Sequence, residues 1–294
     1  MNKPKVVCFG EVLWDDLPKG KEPGGAPMNV VYHLNKLGIQ GKVISRVGDD
    51  NDGEKLLDEI KNLILDTAYC QLDQKYPTSN VRIAFDKYHE PSYEIIQPVA
   101  WDFIEYEERH SKLLKNSDAF IYGTLSARSE TTRYTLKKLL KSAPYKVFDI
   151  NLRDPFYDRG TIEYLLKEAN LLKTNLDELY FLFDWFVDTN NVSEKEKIEI
   201  LMEKFLIREI IVTKGKRGAS YYSQNFNYNS PAPKVKIKDT VGSGDSFLAA
   251  FLSKRLKRIA IVEALDFATA IGSYIATQSG ACPVYSESDF KNIF

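Results

Sequence analysis

Cysteine and histidine are scarce in this chain of 294 residues, with three of each. Cys8, Cys70 and Cys282 are odd in number, far apart and never in a C-x-x-C pair, so neither a disulfide framework nor a zinc site is encoded locally. His33, His89 and His110 have no ligand spacing and are expected to be ordinary core or surface histidines. Long apolar runs are missing too: only five apolar residues precede Glu11, too few for a signal peptide, and no stretch of 18 follows. A reduced, cytoplasmic chain is expected. Neither charge sign dominates, since 40 Lys+Arg face 41 Asp+Glu for a net charge of -1. With no long single-sign block there is no footprint for nucleic acid or anionic lipid, so a small-molecule partner is expected.

The length exceeds the domain mode of roughly 100–150 residues, which favours one large α/β domain with an accessory piece over two equal domains. Short β-branched runs at 6–10, 43–47, 119–123, 147–150, 171–174 and 210–213 read as strands. Between them, 28–37, 53–63, 131–140, 162–169, 177–186 and 195–205 carry apolar residues at helical spacing, as do 246–256 and 261–279. Alternation of this kind predicts a mainly parallel sheet with crossover helices. Residues 68–98 break the rhythm: 81–85 and 93–96 alternate like half-exposed strands around a hairpin turn at 86–91, which predicts a small β-flap apart from the main sheet.

The densest chemistry lies near the C-terminus, where Gly242-Ser243-Gly244 delivers Asp245 to the start of an apolar-faced helix. Small residues let backbone approach an anion, and the unpaired N–H groups of a helix start carry about half a positive charge. An acid beside such a trap can take a proton from an attacking alcohol, although aspartate is also an ordinary helix cap. The double glycine Gly24-Gly25 before Pro27 and Asn29 lets a small polyol sit against bare backbone, with Asn29 offering donor and acceptor; a plain helix start with proline in its first turn fits as well. Acids at Glu11, Asp15 and Asp16 follow the first strand, at the end of an open sheet where ligands bind. Asn175-Leu176-Asp177-Glu178 follows another strand, and its oxygens suit Mg²⁺ or a helix cap equally. The Walker loop G-x-x-x-x-G-K-[ST] is absent, and Gly242–Phe247 lacks the third glycine of a dinucleotide loop.

Taken in order, GGAPMNVVYHLNKLG and DTVGSGDSFLAAF resemble the N- and C-terminal patterns of ribokinase-like (PfkB-type) sugar kinases, and VGDDNDG, the NLDE cluster and VTKGKRGA extend the likeness over the whole chain. The resemblance implies one ribokinase-like kinase domain over 1–294: a three-layer α/β fold with a helix-flanked, mainly parallel sheet. A small β-sheet lid would come from a segment near 12–22 and from 68–98, through which two copies could pair. It implies ATP and Mg²⁺ as cofactors, with a monovalent cation such as K⁺ near Asp239. By the same likeness Asp245 is the general base, and Gly242, Ser243 and Gly244 form the anion hole. Asp15, Gly25 and Asn29 bind sugar. Asn175 and Glu178 serve the phosphates and, indirectly, Mg²⁺; Thr213, Gly215, Gly218 and Gly280 line ATP.

Within the family, Ala26 stands where ribokinases carry lysine, and Asp149-Ile150-Asn151-Leu152-Arg153 resembles the D-x-N-x-R stretch of fructokinases and 2-keto-3-deoxygluconate kinases, with Arg153 facing the sugar. The 99–102 segment also looks fructokinase-like, so fructose is the expected acceptor, with 2-keto-3-deoxygluconate, or another sugar or nucleoside taken by the same family, as the alternative. Ser243 and Lys214 depart from the family pattern, which usually has alanine and an apolar residue there. Two readings of other classes compete. A GDS-type esterase would use Ser246 but needs a histidine base, and none follows His110. A non-catalytic sugar-binding regulator would have no use for Asp245.

Overall fold

The computed structural model describes residues 3–17, 20–85, 91–187 and 192–290. The first half contains β1 (Lys5–Phe9), β2 (Leu13–Leu17), β3 (Gly20–Gly24), α1 (Ala26–Lys36), β4 (Gln40–Gly48), α2 (Asn51–Asn62), β5 (Cys70–Asp73), β6 (Asn80–Phe85), β7 (Pro91–Ile95), α3 (Glu108–Lys115), β8 (Ala119–Gly123) and α4 (Glu130–Leu140). The second contains β9 (Lys146–Asp149), α5 (Arg159–Glu168), β10 (Leu171–Asn175), α6 (Leu176–Phe186), α7 (Glu194–Phe205), β11 (Glu209–Thr213), β12 (Ala219–Ser223), β13 (Phe226–Ser230), α8 (Ser243–Arg255) and α9 (Ile261–Ile275).

A nine-stranded sheet has the order β13-β12-β11-β10-β9-β8-β1-β4-β5, parallel except where β12 and β13 join antiparallel at one edge. Strands buried on both faces read as continuous apolar runs, as Val6–Phe9 and Ala119–Tyr122 do. One core cluster packs α1, α8 and α9 on one face, and a second packs α4, α5, α6 and α7 on the other, giving three layers. The chain leaves β1 toward β4 and β5, then returns to β8 on the other side of β1. That reversal opens a crevice at the carboxyl ends of β1 and β8, where open α/β sheets take ligands.

A separate four-stranded sheet, β3-β2-β6-β7, stands at this end. It is narrower than the 68–98 flap expected, because Cys70–Asp73 joins the main sheet beside β4, with Cys70 opposite Ser45. The polar face of β5 misled the pattern: Gln71 and Asp73 are buried, satisfied by Glu105 N–H and by the Arg46 guanidinium at 2.7 Å. The hairpin turn expected at 86–91 lies, through residues 86–90, outside the described residues. Three elements gave no sequence signal: α3, which buries only His110 and Leu114, and the Tyr-rich β12 and β13. The last helix ends at Ile275 rather than 279. Among the described residues no helix is long and apolar enough to cross a membrane, and the three cysteines are free thiols.

Candidate functional site

The glycine turn before α8 is a built feature of the backbone. Gly242 is in the left-handed region (φ +72°), and a Cβ there would lie 2.7 Å from the Cα of Ala281, so only glycine lets the turn pack on the C-terminal segment. Gly242 is the N-cap of α8 and lends the helix no side-chain hydrogen bond; contrary to the expected three-residue anion hole, the Ser243 N–H turns back to the Thr240 carbonyl at 3.2 Å, so an anion here would draw on the N–H groups of Gly242 and Gly244. Asp245, in that first turn, does not cap. Its Oδ2 accepts the Asn29 Nδ2 hydrogen at 2.9 Å, joining residues 216 positions apart. Burial pushes Asp245 up to about 6, with Asp149 adding to the rise and Lys173, Asn29 and Arg153 opposing it. An acid poised there is ionised at neutral pH yet basic enough to take a proton.

Asn29 reaches Asp245 because α1 begins at the double glycine. Gly25 has φ +107°, and a Cβ on it would collide with the Glu11 carbonyl oxygen; one on Gly24 would strike the Asp15 carboxylate. Burial, then Glu22 and Asp245, push Asp15 up to about 6, while Arg153 pulls it down. Burial also pushes Glu11 up to about 7. Arg153 itself is exposed and acts on Glu11, Asp15 and Asp245 as their shared countercharge. Asp15, Gly25, Asn29, Arg153 and Asp245 therefore converge on one acid-rich mouth.

Across α8 lies a cavity of about 490 Å³, a size that suits a small-molecule ligand. Thr213, Gly215 and Gly218 line one wall, Ser243 and Gly244 the end nearest Asp245, and Phe247 the floor. The turn after β11 and the glycine turn of α8 thus open onto a single space. Asn175, Glu178 and Gly280 do not line it. Asn175 caps α6 in a reciprocal box: its Oδ1 accepts Glu178 N–H at 2.9 Å, and Glu178 Oε2 accepts Asn175 N–H at 2.8 Å. Glu178 Oε1 accepts Leu152 N–H at 3.0 Å, and burial raises its pKa above the ordinary range. Gly280 donates its N–H to Asp239 Oδ2 at 3.1 Å, the acid near which a monovalent cation was expected.

The two departures are accounted for locally. Ser243 Oγ donates to the Gly272 carbonyl at 2.9 Å and ties α8 to α9. Lys214 turns to Glu194 and Tyr222 shares the same carboxylate oxygen, away from the cavity.

Sequence reasoning missed Lys173. This buried lysine of β10 donates to both oxygens of Asp149 at 2.9 Å, and its Nζ would lie 3.1 Å from a Cβ at Gly244. Burial works against its charge, but Asp149 and Asp245 outweigh that and raise its pKa. The signal was a lone cation inside the apolar run Leu171–Thr174. Also missed were Phe247, Thr269, Gly272 and Ser273 on α8 and α9, which line the cavity but read as plain core.

No group of three or more His, Cys, Asp or Glu able to hold a metal occurs among the described residues. A Mg²⁺ bound with phosphates takes most of its ligands from them and from water, so the lack of such a group does not bear on it.

A family model described as pfkB family carbohydrate kinase matches residues 5–288. The chain is 30% identical to Probable fructokinase-5 of Arabidopsis thaliana, covering 96% of this chain and 94% of that one. Among solved structures, fructokinase with bound ATP from Xylella fastidiosa superposes with a TM-score of 0.86 at 20% identity, over 99% of this chain and 98% of that one. A fructokinase double mutant from Vibrio cholerae O395, with fructose, ADP and potassium ion bound, gives 0.83 at 21% identity over the same shares.

Proposed function

The chain belongs to the pfkB family of carbohydrate kinases, and from that premise we propose that it transfers the γ-phosphoryl group of ATP to a hydroxyl of fructose. The observation that carries this reading is the 2.9 Å contact of Asn29 with Asp245, which puts the acid where the sugar mouth meets the anion-binding turn. Asp15, Gly25 and Asn29 hold sugar hydroxyls, and the cavity beyond Gly244 holds ATP, with Thr213, Gly215 and Gly218 on its wall. Asn175 and Gly280 act from the rim, by way of the α6 cap and the Asp239 loop.

In this mechanism Asp245 takes the proton of the attacking hydroxyl as its oxygen bonds to the γ-phosphorus. The bond from that phosphorus to the bridging oxygen breaks, and ADP leaves. The N–H groups of Gly242 and Gly244 stabilise the phosphoryl oxygens in flight, Ser243 holds the turn between them through its N–H to the Thr240 carbonyl, and Lys173, held by Asp149, supplies positive charge beneath Gly244. When bound, Mg²⁺ would neutralise phosphate charge, with Glu178 holding its waters. The β3-β2-β6-β7 sheet acts as a lid that excludes water, and its outer face is where a second copy would pair. A monovalent cation, such as the potassium ion bound in the Vibrio cholerae relative, would stiffen the loop to Gly280 if it sat beside Asp239 here. The free cysteines suit a reducing cytoplasm.

Charge supports a neutral sugar such as fructose over the two anionic candidates. Glu11, Asp15 and Glu22 crowd the mouth against Arg153, which disfavours a keto-acid sugar or a second phosphate. A coupled ADP-release assay at saturating Mg-ATP, over fructose, ribose, 2-keto-3-deoxygluconate and fructose 6-phosphate, tests this. We expect fructose to lead by at least tenfold in kcat/KM, about 1.4 kcal/mol. If another of the four leads by that margin, fructose is the wrong acceptor and the kinase assignment stands.

A further inference from the structure

Helix α1 starts without the parts a helix start normally needs. Its N-cap is Gly25, no side chain of its own caps it, and its first turn has no acidic residue. The missing acceptor comes from another element. Glu11, just past the end of β1 and 6% exposed, accepts the Ala26 N–H on Oε1 at 3.3 Å, while its carbonyl oxygen occupies the space a Cβ on Gly25 would need. Side chain and backbone of one residue thus both fix the double-glycine turn. One turn on, Asn29 N–H donates to the Gly25 carbonyl at 3.0 Å, and its side chain reaches Asp245.

We propose that Glu11 is a positioning residue that caps α1 from β1, setting the height at which Asn29 meets both the sugar and Asp245. It rests on the sugar reading of Gly25 and Asn29. Capping by a carboxylate is stronger than by a neutral acceptor, since a negative charge also meets the helix dipole. Burial pushes Glu11 up to about 7, so the strength of the cap changes within the working pH range. The groups facing Glu11 are Asp245 on α8, which raises it, Arg153 in the loop after β9, which lowers it, and Asp149 at the end of β9, across a small cavity of about 20 Å³ that both carboxyls line.

Glu11→Gln and Glu11→Ala, compared with the wild type, decide the matter. The KM for the wild type's best sugar and for ATP would be measured between pH 5.5 and 8.5, beside melting temperatures. Loss of a cap is worth about 0.5–2 kcal/mol, so Glu11→Ala should raise the sugar KM about three- to thirtyfold and leave the ATP KM within about twofold. Glutamine keeps an acceptor and should recover most of that loss. In the wild type the sugar KM should rise as pH falls through about 7; in Glu11→Gln that rise should vanish, leaving the later one near 6, where Asp15 and Asp245 titrate. Glu11→Ala raising both KM values alike, or an identical KM–pH curve in Glu11→Gln and wild type, would overturn the proposal. If Glu11→Ala does not fold, the Glu11→Gln curve still decides. The sugar panel on the wild type tests the underlying reading separately, so the two fail on different measurements.

Discussion

The two sides of the cleft differ in charge more than in shape. On the side proposed for the sugar, Glu11, Asp15, Glu22 and Asp245 stand close enough to feel one another, and burial lifts three of them toward neutrality. On the side proposed for the nucleotide, the 490 Å³ cavity is lined by glycines, small apolar residues and the hydroxyl residues Thr213, Thr240, Ser243, Thr269 and Ser273, together with Lys216 and Lys234. The difference teaches how one cleft would sort two ligands. On the reading proposed above, a polyphosphate is repelled by the carboxylates of the first side and met by the lysines of the second, while a neutral polyol finds carboxylate acceptors on the first. Asp245 and Lys173 stand at the boundary, and breaking either should erase the contrast most.

The largest effect is expected from Asp245→Asn. It keeps a polar contact with Asn29 but removes the base, so kcat should fall by about 10²–10⁴ while both ligands still bind. Titration calorimetry with sugar and with ATP, beside single-turnover rates, checks this. Near-normal turnover would place the base elsewhere.

Lys173 comes next. Removing one partner of a buried ion pair typically costs about 3–5 kcal/mol, because the other charge is left unpaired. Lys173→Met should therefore lower the denaturant midpoint sharply by stranding Asp149, whose two oxygens it holds. Adding Asp149→Leu should restore much of that stability and none of the turnover, if the ammonium also serves the phosphoryl group through Gly244. Recovery of turnover in the double variant would make the pair purely structural.

The sheet, its flanking helices and most site positions were legible in the sequence because their signals are local. Val6–Phe9 is a run, Gly242-Ser243-Gly244-Asp245 is a turn, and Gly24–Asn29 is a loop entering a helix. What escaped notice depends on partners far along the chain. Residues 70–73 read as part of the flap because the partners that let Gln71 and Asp73 be buried, Glu105 and Arg46, lie elsewhere in the chain. Lys173 drew no notice inside its strand because Asp149 lies 24 positions earlier. Glu11 read as one acid among several because the helix it caps starts 15 residues on. Asn175 and Glu178 were the reverse case: their local signal was plain, and both of its meanings, a cap and a phosphate-side pair, remained compatible with it. The cap is visible in the hydrogen bonds, while the phosphate role rests on the proposal above.

The smallest expected effect sharpens the comparison from the sugar side. Asp15 sits against Gly24, raised to about 6 by burial and by Glu22 and Asp245. A buried polar partner is worth about 1–3 kcal/mol, so Asp15→Ala should raise the sugar KM about five- to a hundredfold with the ATP KM unmoved. Stability should move the other way. A carboxyl whose folded pKa lies above its unfolded value binds its proton more tightly when folded, so it favours folding at low pH and loses that advantage as pH rises from about 4 through about 6. Above that window its charge weighs against the fold. Asp15→Ala should therefore gain stability over wild type at pH 8 and lose that gain at pH 4, a trade of affinity for stability common at binding sites. Melting curves at the two pH values, set beside the two KM values, read both arms. A variant less stable at pH 8 than at pH 4, relative to wild type, would mean that Asp15 is held by a stabilising partner rather than strained for the sugar.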